Sequence, residues 1–189
     1  MADAQGDDQE LLRQLAKGNP AAFQKCYERY QGPIFRFAWH MSGNQSIAEE
    51  VTQEVFLLLI HKPRKFDPSK GTLAGYLFGI ARNVMRREMA ASFLDVPLAE
   101  EELRDESAFA ADPDLLSDLD RQERLELLQK SVMALPAAYR EALVLCDLEE
   151  MSYPEAAAVL ECPEGTVASR LHRARTMLKA RLQNVRCVR

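Results

Sequence analysis

Glycine, strand-like alternation and long apolar runs are all scarce in this sequence, and each shortage excludes a class of protein. Only eight glycines occur in 189 residues, and polar and apolar residues almost never alternate, which argues against a sheet protein built on tight hairpins. No apolar run approaches the ~20 residues needed to cross a bilayer. The opening "MADAQGDDQE" is acidic and polar where a secretory signal is basic and then apolar. No membrane insertion is therefore expected, and the cytoplasm is the expected location. The four cysteines, Cys26, Cys146, Cys162 and Cys187, form no C-x-x-C pair, and His40, His61 and His172 do not stand beside them at metal-ligand spacing. Reduced thiols, no metal and no cofactor are expected. G-x-S-x-G, P-loop and H-E-x-x-H motifs are missing as well, and no acid, base and nucleophile cluster together, so an enzyme is not expected.

The chain does hold apolar residues recurring at three- and four-residue spacing, with 47% hydrophobic and 28% charged residues overall, the composition of a soluble all-α protein. Two helical blocks emerge. The first runs from about Glu10 to Met89, with breaks expected at "GNP" (18–20), "QGP" (31–33), "SGNQS" (42–46) and "HKPRKFDPSKG" (61–71). The second begins near Asp120, with breaks near "LPAAYR" (135–140), "LEEMS" (148–152) and "ECPEG" (161–165). Between them, residues 91–120 hold Pro97, Pro113 and many carboxylates, with Arg104 as the single base, which is the composition of a flexible acidic linker. The expected domains are thus 1–90, a linker over 91–120, and 121–189.

Charge is distributed unevenly. The net charge is -5, yet no acidic residue occurs from Gly165 to Arg189. Just before that basic segment, Ser152 and Glu155 have the spacing of a capping box, and Pro154 fits a first helical turn. A short helix from about Tyr153 to Leu160, the turn "ECPEG" and a second helix together make a helix-turn-helix. In the second helix Val167, Leu171, Ala174 and Leu178 form the core stripe. Thr166, Ser169, Arg170 and Arg173 cluster on an adjoining exposed face, with His172, Arg175 and Lys179 on the other side. Basic charge alone would suit a solvated face, but the capped helix, tight turn and amphipathic second helix together favour major-groove DNA binding.

The segment "LPAAYREALVLCDLEEMSYPEAAAVLECPEGTVASRLHRARTMLKARL" resembles the fourth conserved region of bacterial sigma factors, most of all the extracytoplasmic-function (ECF) group. The resemblance implies that Thr166, Ser169, Arg170, Arg173 and Arg175 contact the minus-thirty-five promoter element. This chain departs from the group's pattern at Ala168, where Lys is frequent, and at Ala156, where Ile is common.

The N-terminal block supplies a second, separate likeness. In "IAEEVTQEVFLLLI", Val51, Val55 and Leu58 share a stripe opposite Glu50, Gln53, Glu54 and Leu57. It resembles the group's D-A-E-D-x-x-Q-E-x-F segment, which implies that Glu49, Glu50, Gln53 and Glu54 dock core RNA polymerase at its β′ coiled coil. In "KFDPSKGTLAGYLFGIARNVMRR", Leu73, Leu77, Ile80 and Val84 read as the buried stripe, Tyr76, Asn83 and Arg87 as a second, and Arg82 and Arg86 as a third. A ring, an amide and guanidiniums on exposed faces suit single-stranded DNA. The resemblance to the group's F-D-P and W-L-x-x-I-A-R-N pattern, with Tyr76 in place of Trp, makes Tyr76, Arg82, Asn83, Arg86 and Arg87 the minus-ten contacts. A flipped base is expected near the loop from Phe66 to Gly71 and Asn83.

The resemblance further implies two helical domains like sigma regions 2 and 4 and a linker threading the polymerase active-site channel. Its implied partners are the β′ coiled coil and β flap of core RNA polymerase, promoter DNA and an anti-sigma factor. A stand-alone helix-turn-helix regulator would explain only the C-terminal half.

Overall fold

A computed structural model describes residues 8, 10–15, 17–61, 71–90 and 121–186. The linker expected over 91–120, most of the Phe66–Gly71 loop and Cys187 lie outside the described residues. Every regular element among those described is helical.

After a helical stretch over 10–15, helix α1 (Pro20–Ser42) begins where the Asn19 side chain accepts the Ala21 N–H at 3.0 Å. It ends at Gly43, whose φ of 66° lets its N–H turn back to the Trp39 carbonyl at 2.7 Å. Helix α2 (Gln45–His61) is capped by Asn44 Oδ1, which accepts from the Ser46 and Ile47 N–H groups at 2.9 and 3.3 Å. Helix α3 (Leu73–Ala90) starts under Thr72, whose Oγ1 accepts the Gly75 N–H at 3.1 Å.

The expected break at "QGP" is corrected: α1 runs straight through Gly32 and Pro33. Pro33 removes one helical hydrogen bond, a cost of about 3 kcal/mol in a helix interior. Burial of Tyr30, Ile34, Phe37, Ala38 and Met41 along one stripe offsets it, since each large apolar side chain contributes ~1.5–3 kcal/mol. Tertiary packing thus overrides a local stop signal. The other breaks that fall on described residues lie where expected, while the one at 61–71 lies mostly outside the described residues.

The C-terminal half consists of α4 (Arg121–Met133), α5 (Ala137–Leu143), a one-turn π-helix (Val144–Leu148), α6 (Tyr153–Leu160) and α7 (Glu164–Arg186). Val51, Val55, Leu73, Leu77 and Val84 are buried as expected, as are Val167, Leu171 and Ala174. Leu58, Ile80 and Leu178 are only half-buried, while Leu59 and Ala81, one residue further along their helices, are buried instead. Cys26 is buried, Cys146 and Cys162 half-buried, and all three are free thiols. Burial pushes the Cys26 thiol up to about 12, so it is an inert packing group.

The two halves pack against each other. Helix α3 lies along α6, and α1 meets both α4 and α5. Gly43 is needed here twice over: besides its positive φ, a Cβ on it would stand 3.1 Å from the Met133 Cε of α4.

Candidate nucleic-acid and protein interfaces

The helix-turn-helix is built as the sequence dictates. Ser152 Oγ accepts the Glu155 N–H at 3.5 Å, and a Glu155 carboxylate oxygen accepts from the Ser152 N–H at 3.1 Å and the Ser152 hydroxyl at 2.6 Å. Burial opposes ionisation of Glu155, but the Ser152 donors and the Thr72 hydroxyl outweigh it and hold its pKa below the usual carboxylate value. Helix α6 closes at Glu161 with φ 55°, and the Cys162 N–H bonds the Ala157 carbonyl at 3.1 Å, giving the tight turn into α7. Buried Val167, Leu171 and Ala174 then fix which face of α7 is outward.

On that outward face Ser169 is exposed, and Thr166, Arg170 and Arg173 are half-buried. Arg173 donates to the Tyr139 hydroxyl at 3.3 Å, and Arg170 lies 3.9 Å from the Cys162 sulfur. Arg175 is exposed and makes a bidentate pair with Asp147 at 2.9 and 2.6 Å, which raises its pKa through the hydrogen bond. The π-helix presents Asp147 for this pair. Periodicity at 3.6 residues per turn gives no warning of a π-turn, so Asp147 was not legible as a neighbour of Arg175, and Tyr139 on α5 lies 34 residues from Arg173, beyond any local pattern.

In the N-terminal half, Glu49, Glu50 and Gln53 are exposed and Glu54 is half-buried. They flank two exposed apolar side chains, Leu57 at 45% and Ile60 at 51% exposure, so α2 offers an acidic surface with an apolar strip inside it. Asn83, Arg86 and Arg87 are exposed on α3, and Tyr76 is half-buried. Glu54 and Arg87, expected to serve different partners, form an ion pair with each other.

Arg82 corrects the expectation of an exposed third stripe. It is buried, with Nε 3.1 Å from Glu141 Oε1, one Nη donating to the Val159 carbonyl at 3.3 Å, and Glu161 Oε2 at 3.7 Å. All three partners belong to the C-terminal half. The sequence could not reveal this, because no local pattern couples positions 82 and 141. Other polar contacts cross the same boundary. Arg36 and Glu149 pair at 3.0 and 2.7 Å, Thr72 donates to Glu155 at 3.1 Å, and Arg140 donates to the Met41 carbonyl at 2.8 Å, near the negative end of α1. Burial raises the Glu149 carboxyl against the lowering effect of Arg36.

Among the described residues no group of His, Cys, Asp and Glu is arranged to hold a metal ion, and no helix is long and apolar enough to cross a membrane.

The sigma-70 region 2 family model matches residues 26–92, and the sigma-70 region 4 model matches residues 125–178. The ECF sigma factor SigW of Bacillus subtilis is 30% identical over 92% of this chain and 96% of its own length. SigE of Mycolicibacterium smegmatis is 34% identical over 87% of this chain, which spans 64% of that longer protein. Among solved structures, CnrH in complex with the cytosolic domain of CnrY matches with a TM-score of 0.70 at 28% identity, covering 94% of this chain and 97% of that one. The sigma factor RpoE of Bartonella quintana, in complex with the anti-sigma factor NepR, matches with a TM-score of 0.62 at 28% identity, covering 85% and 96%. With matching models on both halves and full-length relatives at this identity, the chain belongs to the ECF group of the sigma-70 family of RNA polymerase sigma factors.

Proposed function

We propose that this protein acts in the cytoplasm as a promoter-specificity subunit, docking on core RNA polymerase and reading two promoter elements with its two helical halves. The observation that carries the reading is the pairing of a properly capped helix-turn-helix, whose second helix has no acid after Glu164, with an acidic, apolar-stripped face on α2. Thr166, Ser169, Arg170, Arg173 and Arg175 are the contacts to the minus-thirty-five element. Hydroxyls and guanidiniums at the start of a helix suit base edges and phosphates in a major groove. Tyr76, Asn83, Arg86 and Arg87 meet the minus-ten element, by stacking and backbone pairing, and Arg82 joins them when its C-terminal partners move away. Glu49, Glu50, Gln53 and Glu54, with Leu57 and Ile60 among them, form the surface for the β′ coiled coil.

Domain roles follow the boundaries 1–90 and 121–189, with 91–120 joining them through the polymerase channel. The C-terminal half also meets the β flap, and an anti-sigma factor holds the protein inactive, as the complex of the Bartonella quintana relative supports. A net charge of -5 limits binding to random DNA away from the polymerase.

The test is to mix purified protein with core polymerase lacking any sigma factor, then assay co-elution and transcription from a library of random promoters. Co-elution with transcription from a shared bipartite motif is expected. Failure to bind core, together with tight specific binding to duplex DNA by the protein alone, would replace this reading with that of a stand-alone regulator.

A further inference from the structure

Glu164 is the only acid in α7, so the arginines of its outward face meet groups that lie outside the helix. Arg170 stands 3.9 Å from the Cys162 sulfur in the preceding turn. Arg175 gives Nε and Nη2 to Asp147 of the π-helix, and Arg173 donates through Nη1 to the Tyr139 hydroxyl of α5 at 3.3 Å. These contacts differ in what they do to the cation. The Asp147 carboxylate neutralises Arg175 and occupies its bidentate edge. A hydroxyl is neutral, so Tyr139 fixes the direction of a guanidinium without cancelling its charge. It engages Nη1, which lies off the Nε and Nη2 edge that Arg36 and Arg175 turn to their carboxylates. An arginine fork held from that side can offer a bidentate edge to O6 and N7 of a guanine. Tyr139 is itself firmly placed. Its N–H bonds the Pro136 carbonyl at 3.0 Å in the first turn of α5, and its ring packs against the buried core. Its neighbour Arg140 is buried and donates to the Met41 and Leu135 carbonyls at 2.8 and 3.2 Å. With only two side-chain torsions, a ring packed in this way carries its hydroxyl to one place.

We propose that Tyr139 is a positioning residue for Arg173: its hydroxyl holds the guanidinium in the orientation that reads one base pair of the minus-thirty-five element. A residue outside the helix-turn-helix, 34 positions earlier in the chain, thereby sets how sharply that pair is discriminated. This rests on the sigma-factor reading given above. An arginine ordered before DNA arrives loses less side-chain freedom on binding, an effect worth about two- to tenfold in affinity for one such side chain. Restrained to one direction, it also meets a wrong base with its donors misplaced, where a freely moving arginine would adapt.

The test assembles core polymerase lacking any sigma factor with the whole chain as wild type, Tyr139→Phe, Arg173→Ala and the double variant, and selects promoters from a random library with each. Tyr139→Phe removes one oxygen and keeps the ring that packs on the core. Arg173→Ala identifies the base pair that Arg173 reads. Tyr139→Phe is expected to weaken the preference at that same pair by about two- to tenfold, to leave the rest of the motif as in wild type, and to add nothing in the Arg173→Ala background. A Tyr139→Phe motif identical to wild type overturns the proposal, as does an Arg173→Ala variant that relaxes no base pair. A loss spread evenly over the whole element, or one undiminished in the Arg173→Ala background, also overturns it, since Tyr139 would then support the fold alone. A wild-type chain that fails to bind core, or selects no bipartite motif, brings down the sigma-factor reading itself and this role with it.

Discussion

At the residue scale, single side chains here act through the backbone groups and charges they satisfy. Ser152→Ala removes the acceptor of the Glu155 N–H and one donor to the Glu155 carboxylate, and is expected to cost about 1 kcal/mol in thermal or denaturant unfolding. Because the folded pKa of Glu155 lies below its ordinary value, its contribution is present above the ordinary carboxylate range and is lost as pH falls through the folded value. The Ser152→Ala penalty should therefore shrink in acid, measured as Tm against pH. Arg173→Ala, on the reading of that arginine as a bidentate base contact, weakens recognition of the minus-thirty-five element by about 1 to 3 kcal/mol and relaxes the preference at one base pair. A binding selection that returns an unchanged motif refutes that role. Thr166, Ser169 and Arg170 were legible because their spacing alone places them beside a buried stripe. Tyr139 and Asp147, which hold Arg173 and Arg175, were not, since contacts from 28 and 34 residues away leave no periodic trace.

At the scale of elements, α1 contains the clearest conflict between local chemistry and packing. Pro33 lies in its interior on a half-buried face, with Ile34 and Phe37 fully buried behind it. Pro33→Ala restores the missing donor without touching that core. The expected gain is about 2 kcal/mol, the roughly 3 kcal/mol interior penalty less about 1 kcal/mol for the freer unfolded chain. Calorimetric Tm should rise; a lower Tm would mean that the proline shapes a bend which the packing requires. Helices α2, α3 and α7 were visible as amphipathic patterns and α6 from its capping box, whereas the caps Asn44 and Thr72 emerged only in the structure. The continuation of α1 was not, because a Gly-Pro pair is a strong stop signal and only the buried stripe on both sides of it overrules that signal.

At the scale of the whole molecule, the contact between the halves also carries a pH response. His40 sits at the end of α1 beside Trp39, whose carbonyl accepts from Gln129 of α4 at 3.3 Å. Burial lowers the pKa of His40 from 6.5, and nearby Arg36 lowers it further, against a raising effect of the Gln129 amide that is smaller than that of burial. The unfolded imidazole therefore takes up a proton first as pH falls. Stability is full above about pH 6.5 and declines below it. Urea unfolding at pH 7.5 and 5.5 should show this loss, and His40→Gln should reduce the difference between the two. An undiminished difference in the variant would assign the effect to other groups.

The sequence by itself determined the helical class, the capping box, the turn into α7, the core stripe of that helix and the acidic face of α2, because each depends on residues within about one or two helical turns of each other. It also carried both likenesses that place the chain in its family. Tertiary structure alone decided the unbroken course of α1, the pairing of Glu54 with Arg87 and of Asp147 with Arg175, and above all the burial of Arg82 against Glu141. An arginine on a helix reads as exposed until the surface opposite it is known, and that surface comes from a helix 59 positions away in the chain.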